Sequence, residues 1–115
     1  MNHIVDIDLS GCTEKKEIIR HISKALKIDK SPDTLYNNWD AFRDDIGMLE
    51  GCSKHWFQLV QKDTTPTAVH VRLNHALTFK EQNPSDYQVL IEILDEMSAP
   101  NVRYGKIQFS YEIHV

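Results

Sequence analysis

Three short stretches of the chain alternate between hydrophobic and polar side chains, which is the spacing of a strand with one buried face. They cover residues 3–9, 68–74 and 107–115, and the last of them alternates most regularly. Residues 56–60 are largely apolar and form either a further strand or a short packed segment. A turn at 62–66 would join them to 68–74 as a hairpin. The pattern therefore predicts three strands, and a fourth at an edge of the sheet if 56–60 pairs.

Three other stretches repeat hydrophobic residues every three or four positions, the spacing of an amphipathic helix. They predict helices over 14–28, near 38–49, and from Pro84 to about 98. Residues that often cap helices precede them: Thr13 for the first, Asn37 or Asn38 for the second, and Asn83 for the third. The first helix ends before Pro32, because the residue that precedes a proline disfavours helical backbone angles.

The order of these elements predicts the fold class. Strands that alternate with helices favour a parallel sheet with crossover helices. Because the strands alternate rather than read as continuous apolar runs, one face of the sheet should meet water. We therefore expect an α/β fold in two layers: a small, mainly parallel sheet of three strands, plus the extra edge strand if it forms, with helices on one face. Its 115 residues suit a single domain, 1–115.

The negative charge is concentrated in one segment. Residues 29–50 carry six acidic and two basic side chains, whereas the rest of the chain carries 11 of each, so this segment holds the whole net charge of −4. A protein that binds nucleic acid is expected to present a basic surface. A local acidic surface instead suits a basic protein partner.

The N-terminal residues have no signal-peptide pattern, and no stretch approaches the about 20 apolar residues of a membrane span. We therefore expect a cytoplasmic protein. Its two cysteines, Cys12 and Cys52, are read as reduced thiols, with a single disulfide between them left open.

Asp40 and Asp44 lie four residues apart in the second predicted helix, so their carboxylates share one face about one turn from each other. Trp39, Phe42 and Ile46 lie mainly on another face, from which they would pack inward. The repulsion between the two carboxylates costs a few tenths of a kcal/mol, and a cationic partner would relieve it. The simpler alternative is a solvated helix face with no binding role.

The segment Asn38-Trp39-Asp40-Ala41-Phe42, followed by Asp44, resembles the barstar family. A proline-containing loop precedes this segment, and a predicted strand and helix precede the loop. Weaker similarity extends over about four-fifths of the chain. The resemblance implies a binding protein without cofactor that is not an enzyme. It would plug the active site of a small ribonuclease, with carboxylates in place of substrate phosphates, as an immunity protein or antitoxin.

The resemblance also implies roles for individual residues. Asp44 would be the main residue inserted into the ribonuclease active site. Asp40 would make a second charged contact, and Asn38 would fix the conformation of the loop. The predicted partner-binding surface is completed by the loop residues Asp33, Thr34, Leu35 and Tyr36, by Trp39, Arg43 and Gly47 of the helix, and by Glu96 as an outlying acidic contact.

Two features leave other functions open. The family has aromatic residues and then glycine where this chain has Thr34, Leu35 and Tyr36, and residues 49–67 resemble an insertion. The same fold would then neutralise a different toxin, such as a DNase or a toxin that is not a nuclease. A third hypothesis is a small metal-dependent hydrolase, in which His70 and His75 meet Asp6 and Asp8 on the open sheet face. The six histidines show no HxH, HxxxH or HExxH spacing, so we predict no metal site.

Overall fold

The computed structural model describes residues 2–28, 36–49, 68–99, 102–103 and 107–115. The predicted segment 56–60 and the turn at 62–66 lie outside these residues. The described elements are, in chain order, β1 (Asn2–Asp8), α1 (Lys15–Ala25), α2 (Trp39–Gly47), β2 (Ala68–Asn74), α3 (Leu77–Gln82), α4 (Pro84–Ser98) and β3 (Gln108–Ile113).

The three strands form one parallel sheet in the order β1-β2-β3. Val5 pairs with Val71, and Val71 pairs with Tyr111. The predicted α/β class and parallel sheet are confirmed. Each connection between neighbouring strands contains helices, as parallel pairing requires.

The sheet buries one face against the helices. Val69, Val71 and Leu73 of β2 are buried, while the other four residues of the strand are half-buried, and all of these but Ala68 are polar. The helical part of the core comes from hydrophobic residues at the predicted spacing, among them Ile18, Ile22, Phe42, Ile46, Leu90 and Leu94. The predicted two-layer arrangement is confirmed.

Helix α1 is shorter than the predicted 14–28. It ends at Ala25, and Lys27 adopts a left-handed φ of 62°. The Lys27 N–H donates to the carbonyl of Lys24, and the Ile28 N–H donates to that of Ser23 over 2.8 Å. This is the Schellman arrangement, which satisfies the last carbonyls of a helix and usually has glycine in the left-handed position. The helix therefore ends through its own backbone hydrogen bonds, before Pro32.

Two predicted capping residues have other roles. Glu14 rather than Thr13 stands at the N-cap of α1, and Thr13 donates from its backbone N–H and its hydroxyl to the Glu17 carboxylate. Asn83 stands at the N-cap of α4, but its side-chain amide donates to the carbonyl of Thr13 instead of accepting from the helix. The hydrogen bond between Asn83 and Thr13 thereby joins the N-termini of α1 and α4, and the local sequence does not encode this contact.

Helix α3 was not predicted, because its six residues are too few for a helical repeat to stand out. Strand β3 ends at Ile113, before the predicted 115, because its partner β2 ends one residue after Leu73, which pairs with Ile113. Val115 lies beyond that pairing and is exposed. None of the described helices has the length and apolar character needed to cross a membrane.

Candidate functional site: the exposed face of helix α2

Asn38 determines where α2 begins. Its side-chain oxygen accepts from the backbone N–H groups of Asp40, over 2.8 Å, and Ala41, over 3.2 Å. These are amides of the first helical turn that have no partner within the helix, and an asparagine at this position satisfies them. The same cap places Asp40 in the first turn, where the helix dipole favours a negative charge.

One side of α2 faces solvent and carries two acidic residues. Asp40, Arg43 and Asp44 are exposed, whereas Phe42 and Ile46 are buried in the core. Within the described part of the chain, neither the Asp40 nor the Asp44 carboxylate accepts a hydrogen bond or forms an ion pair. Two carboxylates therefore stand on one face with their hydrogen-bonding capacity unused by the described fold.

Arg43 lies on the same face and pairs with a different helix. Its guanidinium donates to the Glu96 carboxylate on α4, and the two side chains are 48% and 36% exposed. This hydrogen bond and the charge of Glu96 raise the pKa of Arg43, and the nearby charges of Asp44 and Asp40 raise it further. The predicted surface residues Arg43 and Glu96 are thus brought together, as partners of each other.

Trp39 connects the start of α2 to the core and to α4. Its half-buried ring packs edge-to-face against Phe42, with 5.7 Å between ring centroids. Its indole Nε1–H donates to Asp86 Oδ1 over 3.0 Å. The far end of α2 is also held, because Arg103 Nε donates to the Ile46 carbonyl over 3.0 Å. Asp86 and Arg103 were missed at the sequence level, since nothing in the local pattern marks such distant partners.

Two residues of the predicted surface are buried. Tyr36 is 1% exposed, its hydroxyl lies 3.5 Å from the Ile28 carbonyl, and Lys24 Nζ lies 6.0 Å from the centre of its ring. Gly47 is buried at the end of α2. Both residues are therefore buried rather than on the exposed face of α2, and their contact with a partner stays a prediction. Asp33, Thr34 and Leu35 lie outside the described residues, and their role stays a prediction.

On the open face of the sheet, His70 does not meet Asp6 and Asp8 as the hydrolase hypothesis required. Asp6 forms a bidentate pair with Arg72, with two N–O distances of 2.8 Å, and Asp8 accepts from the Ser10 N–H. His70 contacts Ser110 and Glu112 instead of the two aspartates. No group of three histidine, cysteine, aspartate or glutamate side chains among the described residues is arranged to hold a metal ion.

The environment of Cys12 does not activate its thiol as a nucleophile. It is 2% exposed, and burial, with the charges of Glu17 and Asp8, raises the pKa of its thiol. The nearby His21 Nδ1 lies 3.5 Å from the sulfur but only 2.8 Å from the Glu17 carbonyl, to which it donates. A protonated, buried thiol is a poor nucleophile.

Comparison with known proteins identifies the family of this chain. The family described as Barstar (barnase inhibitor) matches residues 2–112. Searches of curated proteins and of solved structures each found no significant match. The family match spans every described strand and helix except the last residue of β3, and it includes the exposed face of α2. The chain therefore belongs to the barstar family, whose members are ribonuclease inhibitors rather than enzymes.

Proposed function

We propose that this protein is a cytoplasmic inhibitor, an immunity protein or antitoxin, which binds a small ribonuclease toxin in a one-to-one complex. The exposed face of α2 and the loop before it would fill the active site of the enzyme. One observation supports this most directly: the carboxylates of Asp40 and Asp44 are exposed together on α2 without a hydrogen bond or ion pair to any described residue.

The chemistry of the target explains why carboxylates suit this role. A ribonuclease binds the phosphates of its substrate with cationic side chains, and a carboxylate accepts the same charge-assisted hydrogen bonds. Asp44 would enter the active site, and Asp40 would meet a second cation near it. Removal of one member of such a buried pair typically costs about 2–5 kcal/mol, because the other charge is left without a partner.

The described fold supports such a contact by holding α2 at both ends. The Asn38 cap and the Trp39–Asp86 hydrogen bond hold its start, and Arg103 holds its end. A helix held in this way loses little conformational entropy on binding, which favours affinity. The acidic excess of residues 29–50 would also speed the approach of a basic enzyme.

The test is inhibition of barnase, which gives the family its description, by the wild type and by an Asp40→Asn/Asp44→Asn double variant. We expect the double variant to inhibit at least about 100-fold more weakly. The matched control is Glu14→Gln/Glu81→Gln, which removes two exposed carboxylates from outside α2 and should inhibit like the wild type. Equal inhibition by the wild type and the double aspartate variant would contradict the proposed site.

A second candidate keeps the fold and the binding face but changes the target to another toxin. The buried Tyr36 favours it, because this residue stands where the family has glycine, and a tyrosine does not enter left-handed backbone angles as readily. Affinity capture from lysate and culture fluid, with the wild type and the double aspartate variant as baits, separates the two candidates. Capture by the wild type alone of a basic protein without ribonuclease activity would favour the second.

A further inference from the structure

We infer that Glu96 is a positioning residue for the exposed face of α2: it holds the Arg43 guanidinium on α4, so that Asp40 and Asp44 stay available to a cationic partner. This inference rests on the proposed function. It differs from the direct contact with the partner that the family resemblance implied for Glu96.

Arg43 is placed where it can neutralise the binding face. It follows Asp40 by three residues, a spacing at which opposite charges on a helix attract each other, and it adjoins Asp44. All three side chains are exposed, so the long arginine can reach either carboxylate. An arginine paired with these carboxylates would compete with any cation that a partner presents.

Glu96 removes this competition by giving the guanidinium a closer carboxylate. The Arg43–Glu96 contact is a hydrogen-bonded ion pair, whereas Asp40 and Asp44 act on Arg43 only through their charge. Pairing also neutralises the positive charge of Arg43, which would otherwise repel a cationic partner. The four side chains together keep a net charge of −2, and that charge is carried by the two aspartates.

Direct contact and positioning predict different results in a double-mutant cycle. If Glu96 touches the partner, Glu96→Gln weakens binding by the same factor whether or not Arg43 is present. If Glu96 acts through Arg43, its loss matters only while Arg43 is present to fold back onto Asp40 or Asp44. Glu96→Gln replaces a carboxylate with a neutral amide of the same shape, and Arg43→Gln replaces the guanidinium with a shorter, neutral side chain.

The experiment measures the Kd for barnase at low salt for the wild type, Glu96→Gln, Arg43→Gln and the double variant. We expect Glu96→Gln to weaken binding roughly three- to tenfold and Arg43→Gln to tighten it slightly. Glu96→Gln should have no further effect once Arg43 is replaced. A loss of equal size in both backgrounds would overturn the inference, because it would show that Glu96 contacts the partner.

A second readout needs no partner. In a crystal structure of Glu96→Gln, the Arg43 guanidinium should lie within hydrogen-bond distance of the Asp40 or Asp44 carboxylate. A guanidinium that stays on α4 or points into solvent would overturn the inference. If wild-type protein fails to bind barnase, or if Asp40→Asn/Asp44→Asn binds it equally well, the proposed function fails at this target, and the crystal structure still decides the role of Glu96.

Discussion

The indole Nε1–H of Trp39 and the Asp86 carboxylate are joined by a 3.0 Å hydrogen bond that links the first turns of α2 and α4. Asp86 is also favoured in its position by the dipole of α4. Because α2 carries the proposed binding face, this contact sets how that face is presented.

Asp86→Ala should therefore lower the free energy of unfolding by about 1–2 kcal/mol, since it removes a hydrogen bond to a charged acceptor and a favourable dipole interaction. Urea denaturation measures this change. The Trp39→Phe variant provides the second side of a double-mutant cycle. The cost of Asp86→Ala should fall by about half in that background, and an undiminished cost would show that the hydrogen bond contributes nothing.

The Asn38 cap provides a second test of how α2 is held. Asn38→Ala should lower the free energy of unfolding by about 1 kcal/mol, because two amides of the first turn lose their acceptor. Asn37→Ala is the matched control, since Asn37 is an exposed neighbour that stands outside the capping position, and it should have little effect. Equal losses for the two variants would contradict the capping role.

The salt dependence of association tests the electrostatic part of the proposal. The association rate constant with barnase should fall steeply as NaCl rises from about 50 to about 500 mM, because salt screens the attraction between exposed charges. The Asp40→Asn/Asp44→Asn variant should associate more slowly and show a shallower dependence. Stopped-flow fluorescence measures both rates. Parallel salt dependences would mean that these two aspartates do not steer the encounter.

Lys27 is a site where the chain can be stabilised. Its φ of 62° is unfavourable for a residue with a side chain and suits glycine. Lys27→Gly should raise the free energy of unfolding by about 0.5–1 kcal/mol. This is a net gain, because relief of the backbone strain outweighs the larger conformational entropy that glycine loses on folding. Lys27→Ala removes the same charge but keeps the strain, so it should give no gain in thermal or urea denaturation.

The Asp6–Arg72 pair predicts a pH dependence of stability. The hydrogen bonds and charge of Arg72 lower the pKa of Asp6 in the folded protein. The pair therefore contributes stability above the ordinary titration range of aspartate, about pH 4, and this contribution is lost as pH falls through the lowered pKa. The Tm difference between wild type and Asp6→Asn should be present at pH 7 and shrink at lower pH.

The control for that measurement is the same substitution in an Arg72→Gln background. Without the guanidinium, no ion pair lowers the pKa of Asp6. In that background Asp6→Asn should therefore produce no comparable pH-dependent difference in Tm. A difference of the same size in both backgrounds would contradict the assignment to Arg72.

Local signals predicted most of the architecture. Hydrophobic spacing located all three strands within two residues of their observed ends, and it located α2 and α4 together with the buried faces of both. Where a cap depended on neighbouring residues alone, as at Asn38, the prediction also held. It also placed Asn83 at the N-cap of α4, although the Asn83 side chain donates to the Thr13 carbonyl instead of accepting from the helix. It failed at Thr13, because Glu14 stands at the N-cap of α1, and at α3, which is too short to show a repeat.

The sequence by itself determined the fold class, the acidic character of α2 and the exposure of Asp40 and Asp44, because strand alternation, helical spacing and charge are properties of neighbouring residues. Only the tertiary structure decided that Arg43 pairs with Glu96, 53 residues away, and that Trp39 bonds to Asp86, 47 residues away. It also decided that Tyr36 lies in the core. Side chains choose such partners by distance in space, which depends on how α2 and α4 pack against the sheet.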